Sequence, residues 1–378
     1  MLARLGALGD LPDKAVRLRS LRINGEVALD MNFLREAGQL IVSQAWVEER
    51  LRDRLSALGV EIEWNTPISA VSGRDWLVGC DGAHSAVRKT AGIAFEGQPV
   101  MENFLLRDVH AEWDLDRESI HLFVDGPRMT TLFPLPGDIW RVMSPDGGRW
   151  TPGPVDAVVW ESTFRIHRRQ AATYRRGNVL LAGDAAHIHS PLGGQGMNTG
   201  LGDAENLAWK LALVVQGRAS AALLDTYEAE RRPVAARVLA ATTPATRWAL
   251  QPGRMTQRLR DFTWPLMTLP VVQRRLVRAA SQLDVRYSGP LAAGRRGGQR
   301  VPAFARTGRW VLAGPATCLE VARERLGDVV HHERAGDTLL MRPDGHLAWR
   351  GPNSPERLSA WLNEVLGVPE TPKQTTRS

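Results

Sequence analysis

The sequence predicts an α/β fold built on an open sheet, and three observations carry that prediction. Val179-Leu180-Leu181-Ala182 is an apolar run of buried-strand character that leads into Gly183-Asp184-Ala185-Ala186-His187. A glycine-rich loop, Gly193-Gly194-Gln195-Gly196, comes next, and a helical pattern starts near Met197. Trp76-Leu77-Val78-Gly79-Cys80 is a second apolar run, and it ends on Asp81-Gly82. Ligands of open α/β sheets sit in the crevice beyond the carboxyl ends of the strands. Both acids therefore stand where a ligand is expected. The acid accepts hydrogen bonds from a polyol, and glycines without Cβ let the backbone approach a ring or phosphate. A helix N-terminus favours negative charge.

Taken in order, Gln44 to Leu58 predicts a helix and Gly59-Val60-Glu61-Ile62-Glu63-Trp64 a strand. Residues 95–159 predict a β-sheet, with strands at Asn103–Leu106, Ser119–Val124, Thr130–Leu135 and Ile139–Met143. Met197, Leu201, Ala204, Leu207, Leu211 and Val215 recur at helical spacing and predict the inward face of the helix after the glycine loop. Helices over about 204–285 lead to a boundary at Gly294-Arg295-Arg296-Gly297-Gly298. Beyond it, Thr338 to Arg350 predicts a hairpin turning at Pro343-Asp344-Gly345. Residues 368–378 are a polar tail.

Composition narrows the class. The 378 residues are 43% hydrophobic, enough for two or three packed domains. The formal charge is +7, yet the only lysines are Lys14, Lys89, Lys210 and Lys373. The arginines are dispersed and do not interleave with aromatics as in a nucleic-acid module, so no nucleic-acid partner is expected. No stretch has the length and apolarity of a membrane span. Cys80 and Cys318 lie in separate apolar segments without metal-ligand spacing. They predict buried thiols, no metal, and a reducing, cytoplasmic setting.

The run from Gly183 to Asn198 resembles the ribityl-binding motif of FAD-dependent aromatic hydroxylases, the class A flavoprotein monooxygenases. The resemblance continues through Asp203 to Leu211 and through Leu224 to Pro233. Asp81-Gly82-Ala83-His84-Ser85-Ala86-Val87-Arg88 resembles the family's Asp-Gly-x-x-Ser-x-x-Arg motif, associated with FAD and NAD(P)H binding. Gln44 stands where the family carries a flavin-contacting Gln. The resemblance implies FAD contacts at Gln44, Asp81, Gly82, Arg88, Gly183, Asp184, Pro191, Gly193, Gly194, Gly196, Met197 and Asn198. Arg88 pairs on this reading either with phosphate or with Asp81. His187 belongs to the fixed motif and takes a structural role, His189 is the candidate substrate contact, and His84 is solvated. No side chain stands out as a catalytic acid or base.

The family's opening Gly-x-Gly-x-x-Gly fingerprint is not in this sequence. Met1 to Leu8 resembles the helix that follows that unit, so roughly the first fifty to sixty residues of a family member are expected to be missing. The segments Ser72–Asp75 and Arg141–Trp160 are also shorter than the family's. The expected architecture is an incomplete Rossmann-like FAD-binding domain over 1–94 and 160–285. A substrate-domain β-sheet over 95–159 is inserted into it, and a thioredoxin-like α/β domain over 295–367 follows. The implied reaction is hydroxylation of a phenolic or polyketide substrate by O₂ through a C4a-hydroperoxyflavin, with NADPH or NADH as reductant. A homodimer is compatible with this reading. The alternatives are a non-catalytic binding or dimerisation module derived from a hydroxylase, or a chain needing an upstream glycine-fingerprint segment.

Overall fold

The computed structural model describes residues 1–31, 39–68, 73, 75–125, 128–145, 147–189, 195–250, 269–301, 307–334 and 336–367. Short helices α1 (Leu2–Leu5) and α2 (Leu11–Lys14) open the chain. Strands β1 (Val16–Leu18), β2 (Ser20–Ile23), β3 (Glu26–Asp30) and β4 (Gln39–Ile41) follow. Helix α3 (Gln44–Ala57) forms as expected. Next come β5 (Leu77–Gly79) and α4 (Ala86–Thr90).

The long strands are β6 (Phe95–His110), β7 (Ser119–Asp125), β8 (Arg128–Pro134), β9 (Ile139–Pro145) and β10 (Ala157–Ala171). Then come β11 (Arg175–Arg176), β12 (Val179–Leu181), β13 (His187–Ile188), α5 (Gly196–Val215) and α6 (Asp225–Leu250). After α7 (Pro270–Ala280), the last elements are β14 (Trp310–Ala313), α8 (Ala316–Leu326) and β15 (Val329–His332). They end with β16 (Thr338–Met341), β17 (Leu347–Gly351) and α9 (Pro355–Leu366).

The strands sort into three main sheets and the small pair β1–β4. The largest has eight strands in the order β13-β10-β6-β9-β8-β7-β2-β3. It contains all four strands expected in 95–159, but it also recruits residues 20–30 and runs on to Ala171. The early pair turns at Asn24-Gly25, both at positive φ (48° and 89°), the backbone that a two-residue hairpin demands. Its apolar filling includes Val109, Leu132, Trp140 and Val142, all nearly fully buried.

The second sheet, β11-β12-β5, is small, and β12 pairs with β5 in parallel. Its core, with Leu180, Leu181, Ala185 and Tyr227, lies against α5 and α6. The Tyr227 hydroxyl donates to the Leu181 carbonyl at 2.7 Å in a fully buried position. Tyr227→Phe is expected to cost about 1 kcal/mol, seen as a lower urea midpoint with an unchanged slope.

The third sheet has the order β15-β14-β16-β17, with β14–β15 parallel and the other pairs antiparallel. The β16–β17 hairpin turns at Pro343-Asp344-Gly345, as the sequence predicts. Helices α8 and α9 contribute Cys318, Leu358 and Leu362 to the core of this unit, which also takes in Trp209 and Leu213 of α5.

Three expectations need correction. Gly59–Trp64 forms no strand, and Val60, Ile62 and Trp64 are exposed. No described strand lies beside this segment to take its backbone hydrogen bonds, and a lone extended segment is left to water. Cys80 is exposed, because it lies past the end of β5 where the sheet no longer covers it; Cys318 alone is buried. On α5, Met197, Ala204 and Val215 face outward, while Thr199, Asp203, Asn206, Trp209, Lys210 and Leu213 are buried. The apolar spacing found only part of the inward face: Leu207 is buried and Leu201 and Leu211 half-buried as expected, while much of the rest is filled by polar and charged groups that find partners on α6. No helix among the described residues is long and apolar enough to cross a membrane.

Candidate flavin site

Parallel pairing of Leu77, Val78 and Gly79 with Val179, Leu180 and Leu181 brings the carboxyl ends of β5 and β12 side by side. The two acid-bearing turns therefore leave the sheet together. Gly79 is required there: a Cβ would lie 2.9 Å from Val87 Cβ and 3.0 Å from Leu181 Cδ2. Without one, α4 packs directly on the strands.

In the first turn, Asp81 is exposed and binds the start of α4, accepting from the Ser85 hydroxyl and from Val87 N at 3.1 Å. Partial burial pushes its carboxyl pKa up, but the bonds from Ser85 and Val87 outweigh that and leave it below the ordinary value. Gly82 takes φ 79°, and the space where its Cβ would point is open. Arg88 is buried. Its guanidinium donates to the carbonyls of Ala185 (2.8 Å) and Ala83 (2.9 Å) and lies 3.8 Å from the Phe95 ring centroid. It thus laces one turn to the other. His84 is exposed.

In the second turn, Gly183 adopts φ 60°, which turns the chain sharply off β12. Asp184 follows it and is exposed, whereas Ala185 and Ala186 are fully buried. The turn is gripped from below by Asp203 of α5. That buried carboxylate accepts from Gly183 N (3.1 Å), is bonded to His187 Nε2 (2.7 Å), and accepts from Arg231 Nε (2.8 Å). Arg231 also donates to the Thr199 carbonyl (3.0 Å) and the Tyr287 hydroxyl (3.1 Å). The expected structural role of His187 is visible in this clasp.

Helix α5 begins beside the turn: a Cβ on Gly200 would lie 3.2 Å from Gly183 Cα. Its N-cap, Gln195, makes no side-chain capping bond, and Met197 and Asn198 are exposed in the first turn. The amides of Gly196, Met197 and Asn198 are thus not capped by Gln195's side chain, as in an anion-binding helix terminus. His189 lies next to this end; a Cβ on Gly196 would be 3.8 Å from its Cε1. Pro191, Gly193 and Gly194 lie outside the described residues. Gln44 is the exposed first residue of α3, and among the described residues no hydrogen bond links it to either turn.

Sequence reasoning missed Asp203, Arg231 and Tyr287 as supports of this site. The available signal was charge at helical spacing: Asp203, Asn206 and Lys210 share one face and meet Glu230-Arg231 on the next helix. Burial pushes the carboxyls of Asp203, Glu230 and Asp344 up. Arg231 with His187, Arg342 with Lys210, and Arg342 with His346, respectively, more than reverse it, so all three lie below their ordinary values of 3.8, 4.5 and 3.8. Groups depressed in the fold stabilise it fully above those ordinary values and lose that contribution as pH falls through the folded ones. Urea midpoints are therefore expected to hold near neutrality and to fall steeply below about pH 4.5. A midpoint flat down to pH 3 would contradict the ion-pair assignment.

This geometry fits the ribityl and ring half of FAD. It provides an exposed acid on a left-handed glycine turn, a second acid beside it, and a helix start that Gln195 does not cap with its side chain.

Comparison with known proteins agrees. A family model described as FAD binding domain matches residues 73–144 and 150–242. The chain is 37% identical over 302 residues to a 6-methylpretetramide 4-monooxygenase of Streptomyces rimosus, covering 68% of this chain and 54% of that protein. It thus spans about half the length of that relative. It is 34% identical over 381 residues to a rifampicin monooxygenase of Streptomyces venezuelae, covering 85% of this chain and 79% of that one. Among solved structures, an anhydrotetracycline hydroxylase from Streptomyces rimosus superposes with a TM-score of 0.79 at 30% identity, over 98% of this chain and 89% of that one. With this homology and the paired turns at the carboxyl ends of β5 and β12, the chain belongs to the FAD-dependent aromatic hydroxylases.

Proposed function

We propose that the chain is an FAD- and NAD(P)H-dependent monooxygenase that hydroxylates a phenolic or polyketide ring. The observation that carries this reading is exposed Asp184 on the Gly183 turn, set beside Asp81 and the start of α5. When bound, FAD supplies the redox chemistry, taking electrons from NADPH or NADH and activating O₂ toward the ring. Asp184 accepts hydrogen bonds from the ribityl hydroxyls. The amides of Gly196, Met197 and Asn198 would hold the ring end of the cofactor and stabilise negative charge on it. Asp81 and Gly82 line the neighbouring crevice, with Pro191, Gly193, Gly194 and Gln44 completing the contact set. Arg88 serves by holding the two turns together, because its guanidinium already donates to Ala83 and Ala185. His189, beside Gly196, is the side chain placed to meet the substrate.

In domain terms, the β11-β12-β5 layer with α5 and α6 is the flavin-binding part, and the eight-stranded sheet covers its reactive side. We assign the β15-β14-β16-β17 unit, with α8 and α9, to a thioredoxin-like architecture. It has no Cys-x-x-Cys, so packing rather than redox exchange is its role. The setting is cytoplasmic, and a homodimer is compatible with the fold. A second reading rests on the sequence lacking the glycine fingerprint: a scaffold derived from a hydroxylase that does not hold FAD alone.

An FAD titration of the chain, followed by absorbance and flavin fluorescence, separates the two. Saturable binding and phenol-dependent NADPH oxidation support the monooxygenase. No binding at high micromolar FAD supports either the scaffold or a chain that needs an upstream glycine-fingerprint segment.

A further inference from the structure

The flavin turn and the C-terminal unit are joined by a continuous set of buried charges. Adjacent residues of α6 face in the two directions. Arg231 holds Asp203, which grips Gly183 and His187. Glu230, one residue earlier and 4% exposed, receives the guanidinium of Arg342 through both carboxylate oxygens, at 2.6 and 2.9 Å. Arg342 lies at the end of the β16–β17 hairpin and is itself fixed by Asp344, at 3.1 and 2.5 Å. Lys210 of α5 completes the pairing on Glu230 at 2.8 Å. A second strand of the connection runs through Tyr287. Its hydroxyl accepts from Arg231 at 3.1 Å, and its ring lies 4.8 Å from the Arg342 guanidinium and 4.3 Å from the His346 ring.

A purely cohesive interface between the two units needs none of this. Apolar residues of similar size pack as well, and buried ion pairs are weak contributors to stability. What charges supply is direction: a bidentate Arg–carboxylate pair fixes the angle of both partners. Here that pair sits on the residue next to Arg231, which in turn holds the carboxylate bonded to the Gly183 amide and the His187 ring.

We propose that Arg342 is a positioning residue of the flavin site, so that the C-terminal unit sets how the Gly183–Asp184 turn is presented. This rests on the flavin reading above. Its direct consequence, however, is local and independent of cofactor: the His187–Asp203 hydrogen bond responds to Arg342.

The test uses the full chain as wild type, Arg342→Met and Arg342→Lys. Leu340→Ala, in the same unit and outside the charge set, is the control for stability. Two quantities are read: the imidazole ¹⁵N and ring-proton signals of His187, and the dissociation constant for FAD. Arg342→Met is expected to shift the His187 signals and weaken FAD by about tenfold. Arg342→Lys should restore part of both, and Leu340→Ala should leave both unchanged. Wild-type-like His187 signals in a folded Arg342→Met chain would overturn the proposal. If that variant does not fold, Arg342→Lys decides on the same signals, since it keeps a cation but loses the two-point pairing on Glu230. If the wild type binds no FAD, the flavin reading fails, and the His187 signals alone still uphold or reject the coupling.

Discussion

Asp203→Ala is expected to remove about 3–5 kcal/mol of stability, the range for stripping one partner from a buried ion pair. The carboxylate is fully buried, and its loss leaves the Arg231 guanidinium without its counter-charge. It also leaves the Gly183 amide and His187 Nε2 without their acceptor. Asp203→Asn is expected to lose less, because an amide oxygen still accepts one of these bonds while the charge on Arg231 stays uncompensated. Equilibrium urea unfolding at pH 7 measures both. A loss under about 1 kcal/mol for the alanine variant, the size of an ordinary substitution, would mean that the clasp does not hold the turn.

Asp184→Ala is the opposite case. The side chain is exposed, and among the described residues it receives no hydrogen bond, so the fold is expected to change by less than about 0.5 kcal/mol. Binding suffers instead. Hydrogen bonds to a charged acceptor contribute about 1.5–3 kcal/mol, which is roughly a ten- to hundredfold weaker FAD complex. Fluorescence titration of the two chains side by side gives the ratio. Equal affinities would take Asp184 out of the site. Together the two variants separate a residue that builds the turn from one that uses it.

Much of this was legible in the chain itself. Strands β5 and β12 announce themselves as short apolar runs that end on acids; β12 is buried throughout and β5 partly, so neither needs a regular alternation. The β16–β17 hairpin follows from Pro343-Asp344-Gly345 in the same direct way. The Asn24-Gly25 hairpin carried an equally strong local signal, but its strand β2 pairs in parallel with β7, about a hundred residues away, and no local pattern discloses that partner. The polar part of the inward face of α5 was hidden for a different reason. Hydrophobic periodicity assumes that buried means apolar, and Asp203, Asn206 and Lys210 are buried because Arg231 and Glu230 arrive from another helix to neutralise them. Asp184 was singled out and Asp203 was not, because the resemblance carries a role for the exposed acid of the turn and none for the buried one beneath it.

The three-stranded sheet that carries both acid turns is built from strands of two or three residues, whereas its eight-stranded neighbour includes strands of fifteen and sixteen. Short strands with few ladder bonds belong to the part of a protein that opens most readily in local fluctuations. The amides of Leu77–Gly79 and Val179–Leu181 should therefore exchange with deuterium well before those in the middle of β6 and β10. A ligand that closes over the turns would slow that exchange by mass action on the closed state. The protection of a few backbone amides thus becomes a gauge of occupancy that requires neither turnover nor colour.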